Sequence, residues 1–194
     1  MDKIAKAGMA LERIKAGLAN FKLSRCLTSE KDDGLKTLDI GRSSSCVRNG
    51  ITWHLIDIEG FQNMQRFKQT IVGTEIADIQ FPQFYLRSES IWDLDVFGNA
   101  ESCDFLQCPS FTARFHLTGP DREALRRFFT SERLAAVEQL DKIDVAEGYD
   151  SIFIYYRPNF QIEAEASGLF LDQASMVLQH MLLPPGGRSQ IGTL

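Results

Sequence analysis

His54 and His116 are the side chains of this 194-residue chain best suited to moving a proton near neutrality. Each stands on the less apolar side of a strand-like stretch. If those strands neighbour each other, the two rings could converge with Asp57 or Cys103 in a small hydrolase or transferase site. Asp57 and Glu59 share one face of their strand and form a candidate carboxylate pair, although carboxylates at a strand end are usually solvated. Asp93 and Asp95 make a D-x-D pair of the kind that holds a divalent metal. No glycine-rich cradle or lysine accompanies them, so a solvated strand face is expected. Arg126 and Arg127 could hold an anion, but their helical spacing fits the wet side of a helix better. The cysteines Cys26, Cys46, Cys103 and Cys108 include no C-x-x-C pair, so zinc is not expected and free thiols are. Ser43, Ser44 and Ser45 invite a phosphate-cradle reading, but no G-x-x-x-x-G-K-[ST] pattern surrounds them. There is no G-x-G-x-x-G after a strand, no H-E-x-x-H and no calcium loop. The sequence therefore names no cofactor and assigns no catalytic, cofactor-binding or metal residue.

The elements that must position these groups begin with an amphipathic helix. Ile4, Leu11, Ile14, Leu18 and Phe21 recur at helical spacing among Lys3, Lys6, Arg13, Lys15 and Lys22. Residues 1–21 therefore suit an anionic membrane surface, a protein partner's groove, or packing on the chain's own domain. Gly8 and Gly17 weaken the helix in isolation. Leu35 to Ile40 is a possible short strand, and Gly41 to Gly50 reads as a turn or mobile loop ending in a favoured Asn49–Gly50 turn. Ile51 to Glu59 alternates with both faces partly apolar, which places it inside a sheet, and Phe67 to Ile76 follows as its hairpin partner. Pro82 suits an edge or strand entry, and Ile91 to Phe97 alternates apolar with acidic residues.

Phe111, Ala113, Phe115 and Leu117 alternate with polar residues as a strand would. After Gly119 and Pro120, Leu125, Phe128 and Phe129 fit one short helix. Thr130 caps a second, with Phe129 and Leu134 placed as a hydrophobic staple. Ile143 to Gly148 and Ile152 to Tyr156 read as strands, and Leu169 to Met181 as a last helix. Strand-helix-helix-strand order from Phe111 to Tyr156 could bring its two end strands side by side.

Composition bounds the rest. Net charge is −5, which argues against general nucleic-acid binding. No apolar run reaches the length of a membrane span, and the N-terminus lacks a secretory pattern, so a cytoplasmic protein is expected. Phenylalanine dominates the aromatics, which suggests interlocking rings in a core.

The order of pieces from about Trp53 to Leu182 resembles an uncharacterised bacterial family, the DUF3137-like group. The residues that carry the likeness are His54-Leu-Ile-Asp-Ile58, Gln69-Thr-Ile-Val72, Phe81-Pro-Gln-Phe-Tyr-Leu-Arg-Ser-Glu89, and Phe111 to Phe129 followed by Thr130-Ser-Glu-Arg-Leu134. Leu55 and Ile58 stand where such relatives usually carry tyrosines, and many of those relatives have membrane spans before this region. The resemblance implies an order of elements and no catalytic residue.

These readings predict an α+β fold, with an antiparallel sheet of about five to seven strands covered by helices. Its divisions are residues 1–30 as a basic amphipathic helix and linker, 31–183 as a single domain, and 184–194 as a flexible tail. Trp53, Ile71, Phe84, Phe115, Phe128, Phe129, Leu134, Ile154, Phe170 and Val177 are expected in or near the core. The leading functional expectation is a non-enzymatic binding or scaffold module of the cytosol. The alternatives are a hydrolase or transferase using His54 and His116, and a peripheral membrane protein anchored by its first helix.

Overall fold

The computed structural model describes residues 3–17, 39–62, 65–89, 102–158 and 160–182. Its strands are β1 (Asp39–Arg48), β2 (Ile51–Gln62), β3 (Gln65–Glu75), β4 (Phe81–Ser88), β5 (Phe115–Thr118), β6 (Val145–Asp150) and β7 (Ile152–Tyr156). Its helices are α1 (Lys3–Gly17), α2 (Pro109–Arg114), α3 (Arg122–Phe128), α4 (Ser131–Val137) and α5 (Ser167–Leu182), the last preceded by a 3-10 turn at Ala164–Ala166. The strands form one seven-stranded sheet in the order β1-β2-β3-β7-β6-β4-β5. Every neighbouring pair is antiparallel. The expected α+β architecture is what the chain adopts. No helix among the described residues is long and apolar enough to cross a membrane.

The two faces of the sheet have different covers. On one, Trp53, Val72, Phe84, Leu86, Phe153 and Tyr155 pack under the helices of the second half of the chain. Rings interlock there: Trp53 meets Phe153 edge-on at 6.2 Å between centroids, and Phe84 meets Phe129 at 5.2 Å. Gly148 makes room for this. A Cβ at that position would stand 2.2 Å from the Phe84 ring. On the other face, Ile56, Ile58, Ile71, Val145, Ile154 and Tyr156 form one buried cluster with Ile14 of α1, which is fully buried. Arg13 reaches Glu75 at 2.7 Å beside it. Leu18 and Phe21 lie outside the described residues. Of the expected core, Phe128 is half-buried and the rest are buried.

Three expectations need correction. Gly41 to Gly50 is no loop, because residues up to Arg48 form β1. Ser44, Ser45 and Cys46 pair with Leu55, His54 and Trp53, and a well-packed partner strand overrides the low strand preference of serine and glycine. Asn49 and Gly50 make the turn with φ of 51° and 74°, the two positive values of a tight hairpin loop. Second, the stretch Phe111 to Leu117 is split. Pro109 stands at the start of α2, where its fixed φ favours a helix. Phe111 and Phe115 are four apart, so they suit a helical turn as well as a strand, and their rings sit 5.3 Å apart. Third, β5 and β7 are not neighbours. β6 pairs with both β7 and β4, and β4 pairs with β5, so two strands separate them. The strand expected at Ile91 to Phe97, and Leu35 to Leu38, lie outside the described residues.

Helix ends follow local chemistry. Asp121 caps α3 by accepting a hydrogen bond from the Ala124 amide at 2.9 Å, and Thr130 caps α4 through the Arg133 amide. Pro120 therefore precedes the cap. Phe129 and Leu134, placed as the staple across the α4 cap, are both fully buried.

Candidate functional site

The histidines do not share a site. His54 lies on β2 and His116 on β5, on the same face of the sheet but five strand positions apart. At about 4.8 Å per step that is on the order of 24 Å, far beyond proton-transfer reach. His116 stands 3.5 Å from Glu89 instead. Asp57 is also separated from His54, because alternation along β2 turns it to the opposite face. There its carboxylate accepts from the Thr70 hydroxyl at 2.7 Å and from Arg42 Nε at 3.1 Å. Glu59 pairs with Lys68 at 2.6 Å. Cys103 is buried beside β5, where its amide donates to the Leu117 carbonyl at 2.7 Å. Cys46, Cys103 and Cys108 are free thiols, and burial pushes the Cys46 thiol up, against a smaller opposing pull from Arg48. Arg126 and Arg127 are exposed, Arg127 lying 3.7 Å from Glu123 one turn away. Cys26, Asp93 and Asp95 fall outside the described residues. Among the described residues no group of three His, Cys, Asp or Glu side chains could hold a metal ion.

The carboxylates buried deepest are spent on structure. Asp144 collects Lys142 at 3.1 Å, Arg157 at 3.0 Å and the Tyr155 hydroxyl at 3.4 Å. Burial, reinforced by that carboxylate, drives the Tyr155 phenol far up. Glu147 accepts from the Tyr156 hydroxyl at 2.6 Å in the interior of the α1-covered face.

A different feature is left at the sheet's margins, where its two edges are unlike. β5 is four residues long, and its outer side is occupied: Cys103 bonds the Leu117 carbonyl, and Leu117 bonds the Ser102 hydroxyl at 3.4 Å. β1 is ten residues long and pairs only with β2 among the described residues. From Ile40 to Arg48 every residue is exposed except the half-buried Cys46. A long unpaired edge is a row of free amides and carbonyls, a template for another strand. A register shift between Ile40 and Ser43 blunts its first third, and Ser43 to Arg48 continues in regular register. The hairpin is fixed to α5 by Arg48 on Asp172 at 2.6 Å and by Asn49 on Ser175 at 3.3 Å. The exposed Leu169 and Met176 stand one turn either side of Asp172.

The sequence does not mark this edge as a strand, because its composition is that of a loop. One signal pointed to it. A tight Asn-Gly turn before the clean alternation of Ile51 to Glu59 requires a partner strand on its other side.

On the same strand, Ser45 stands directly across from His54, with Oγ 2.8 Å from Nδ1. The His54 ring is fully buried, and its Nε2 has no hydrogen-bond partner among the described residues. Burial, with repulsion from Lys15 of α1, lowers its pKa below the ordinary histidine value of 6.5. The ring is therefore neutral at neutral pH.

No family model, curated protein or solved structure matches the chain.

Proposed function

We propose that this chain is a binding module that takes an extended segment of a partner protein onto the free side of β1, adding a strand to its sheet. The observation that carries the reading is the contrast between the edges: β5 is short and occupied, whereas β1 is long and exposed along its length. Strand addition gains affinity from main-chain hydrogen bonds and specificity from alternate side chains. Those alternate positions face a defined surface here. Arg42, Ser44 and Arg48 lie on the helix-covered side, with the exposed Leu169 and Met176 of α5 near the hairpin end.

Charge favours a distinct partner over a second copy of the chain. Past Asp39 the charged side chains of β1 are Arg42 and Arg48. Self-pairing centred on Ser45 sets Arg42 of one copy opposite Arg48 of the other, and a shift of one residue in the centre leaves them diagonal. Like charges so placed are destabilising. A segment carrying Asp or Glu at those positions and an apolar residue toward Leu169 meets no such penalty.

The test is selection of ten-residue displayed peptides against the full chain, followed by nuclear magnetic resonance of the complex. The expected peptides are extended and acidic, and the amide shifts they cause centre on residues 42–48. Shifts centred on α1 or on the β4–β5 end, with β1 unmoved, would overturn the reading. Self-association that shifts the same β1 amides without any peptide would assign the edge to a second copy.

A further inference from the structure

We propose that Ser45 is a nucleophilic serine, with His54 as its general base, able to take an acyl group from a small activated ester. This goes beyond binding at the edge and does not depend on it. Three serines follow one another on an exposed strand, and they do not have the same surroundings. Alternation turns Ser44 to the helix-covered face and Ser43 and Ser45 to the other. Ser43 is paired across from Ile56, Ser44 from Leu55 and Ser45 from His54. Only the last of these neighbours can accept a proton.

The His54–Ser45 geometry is that of a base and its nucleophile. The 2.8 Å separation is within hydrogen-bond reach. The ring is fixed by full burial in the sheet, and its one hydrogen bond among the described residues is to the Ser45 hydroxyl. The neutral tautomer with hydrogen on Nε2 leaves the Nδ1 lone pair on that hydroxyl. Ser45 itself is exposed on the open edge, so an electrophile can approach its oxygen from solvent. The charged groups that α1 and β3 place near the ring on this face are Lys15, bound to Glu12 at 2.9 Å, and the Arg13–Glu75 pair, and Glu147 stands on the same face on β6, bound by the Tyr156 hydroxyl. Burial first, and Lys15 second, disfavour the imidazolium and so hold the base in its accepting form at neutral pH.

In the first step Oγ of Ser45 bonds to the ester carbonyl carbon while Nδ1 takes the hydroxyl proton. The carbon–oxygen bond to the leaving alcohol then breaks, and that alkoxide collects the proton from Nδ1. Water reverses the sequence: it gives a proton to Nδ1, adds to the acyl carbon, and Ser45 leaves with the proton returned. The carboxylic acid is the second product.

Diisopropyl fluorophosphate traps the nucleophile irreversibly. Oγ bonds to phosphorus, fluoride leaves, and the hydroxyl proton passes through Nδ1 to solvent. The full chain is treated with it, digested and mapped by mass spectrometry, so that Ser43 and Ser44 serve as controls in the same peptide. The expected result is labelling of Ser45 at least about tenfold above either neighbour, a modest share of what general-base assistance gives. His54→Gln should bring Ser45 down to the level of Ser44. If that variant does not fold, the pH profile of the wild-type protein decides. Labelling of Ser45 should stay flat from pH 8 through 6.5 and fall only below it. Equal labelling of the three serines, or labelling that climbs steadily with hydroxide, would overturn the proposal.

Discussion

His54 is buried with no carboxylate against it, and this sets its response to acid. In the unfolded chain it titrates near the ordinary 6.5; in the folded chain burial first, and Lys15 second, push its pKa below that. The unfolded state therefore binds the proton more readily. The stability that the neutral ring contributes is fully present above pH 6.5 and is lost as pH falls through the lower folded value. Urea midpoints at pH 7.5 and 5.5 should fall further for the wild-type protein than for His54→Gln. Equal losses in the two would show that His54 is not the titrating group. The buried Asp57 differs in its partners, because Arg42 and Thr70 bind its carboxylate within the fold. The alternation of β2 puts these two side chains, three residues apart, on opposite faces with different partners.

α1 shows how a few contacts fix an element. Its glycines and lysines describe a weak helix with a basic face, which suits a partner or a membrane surface equally well. In the structure the apolar side of α1 packs on the chain's own sheet. Ile14 is fully buried on β3, and a Cβ on Gly73 would stand 3.2 Å from it, so the helix rests directly on the strand. Ile14→Ala should cost about 2–5 kcal/mol in urea unfolding, the range of a buried aliphatic side chain cut to alanine. A loss below about 0.5 kcal/mol, the scale of surface substitutions, would place α1 outside the cooperative unit. The same principle explains what the sequence made legible. β2, β3, β7, α3, α4 and α5 carry strong periodicity or good caps, and they stand close to where those signals put them. β1 and α2 do not announce themselves. Serine and glycine become strand only because β2 lies beside them, and Phe111 and Phe115 fit either period. The separation of His54 from His116 was out of reach as well, since strand order is a property of pairing between distant segments and leaves no mark on either histidine's neighbours.

The molecule as a whole is one antiparallel sheet whose helix-covered face is packed with rings and whose other face carries α1. Its edges differ more than its faces do. One is closed by the segment at Ser102 and Cys103, and the other presents β1, in regular register from Ser43 to Arg48, with nothing described beyond it. Natural sheets usually blunt such an edge, and here Arg42, Arg48 and the early bulge do so only in part. Amide hydrogen exchange of the free protein, read residue by residue along 43–48, tests this most directly. In an antiparallel edge strand every second amide bonds inward and its neighbours point away. Alternation is the expected result: amides bonded to β2 protected, and those between them exchanging near the rate of an unfolded chain. Uniform protection along 43–48 would mean that the edge is covered, and uniform fast exchange that β1 is not a stable strand; either result would contradict an open edge awaiting a partner.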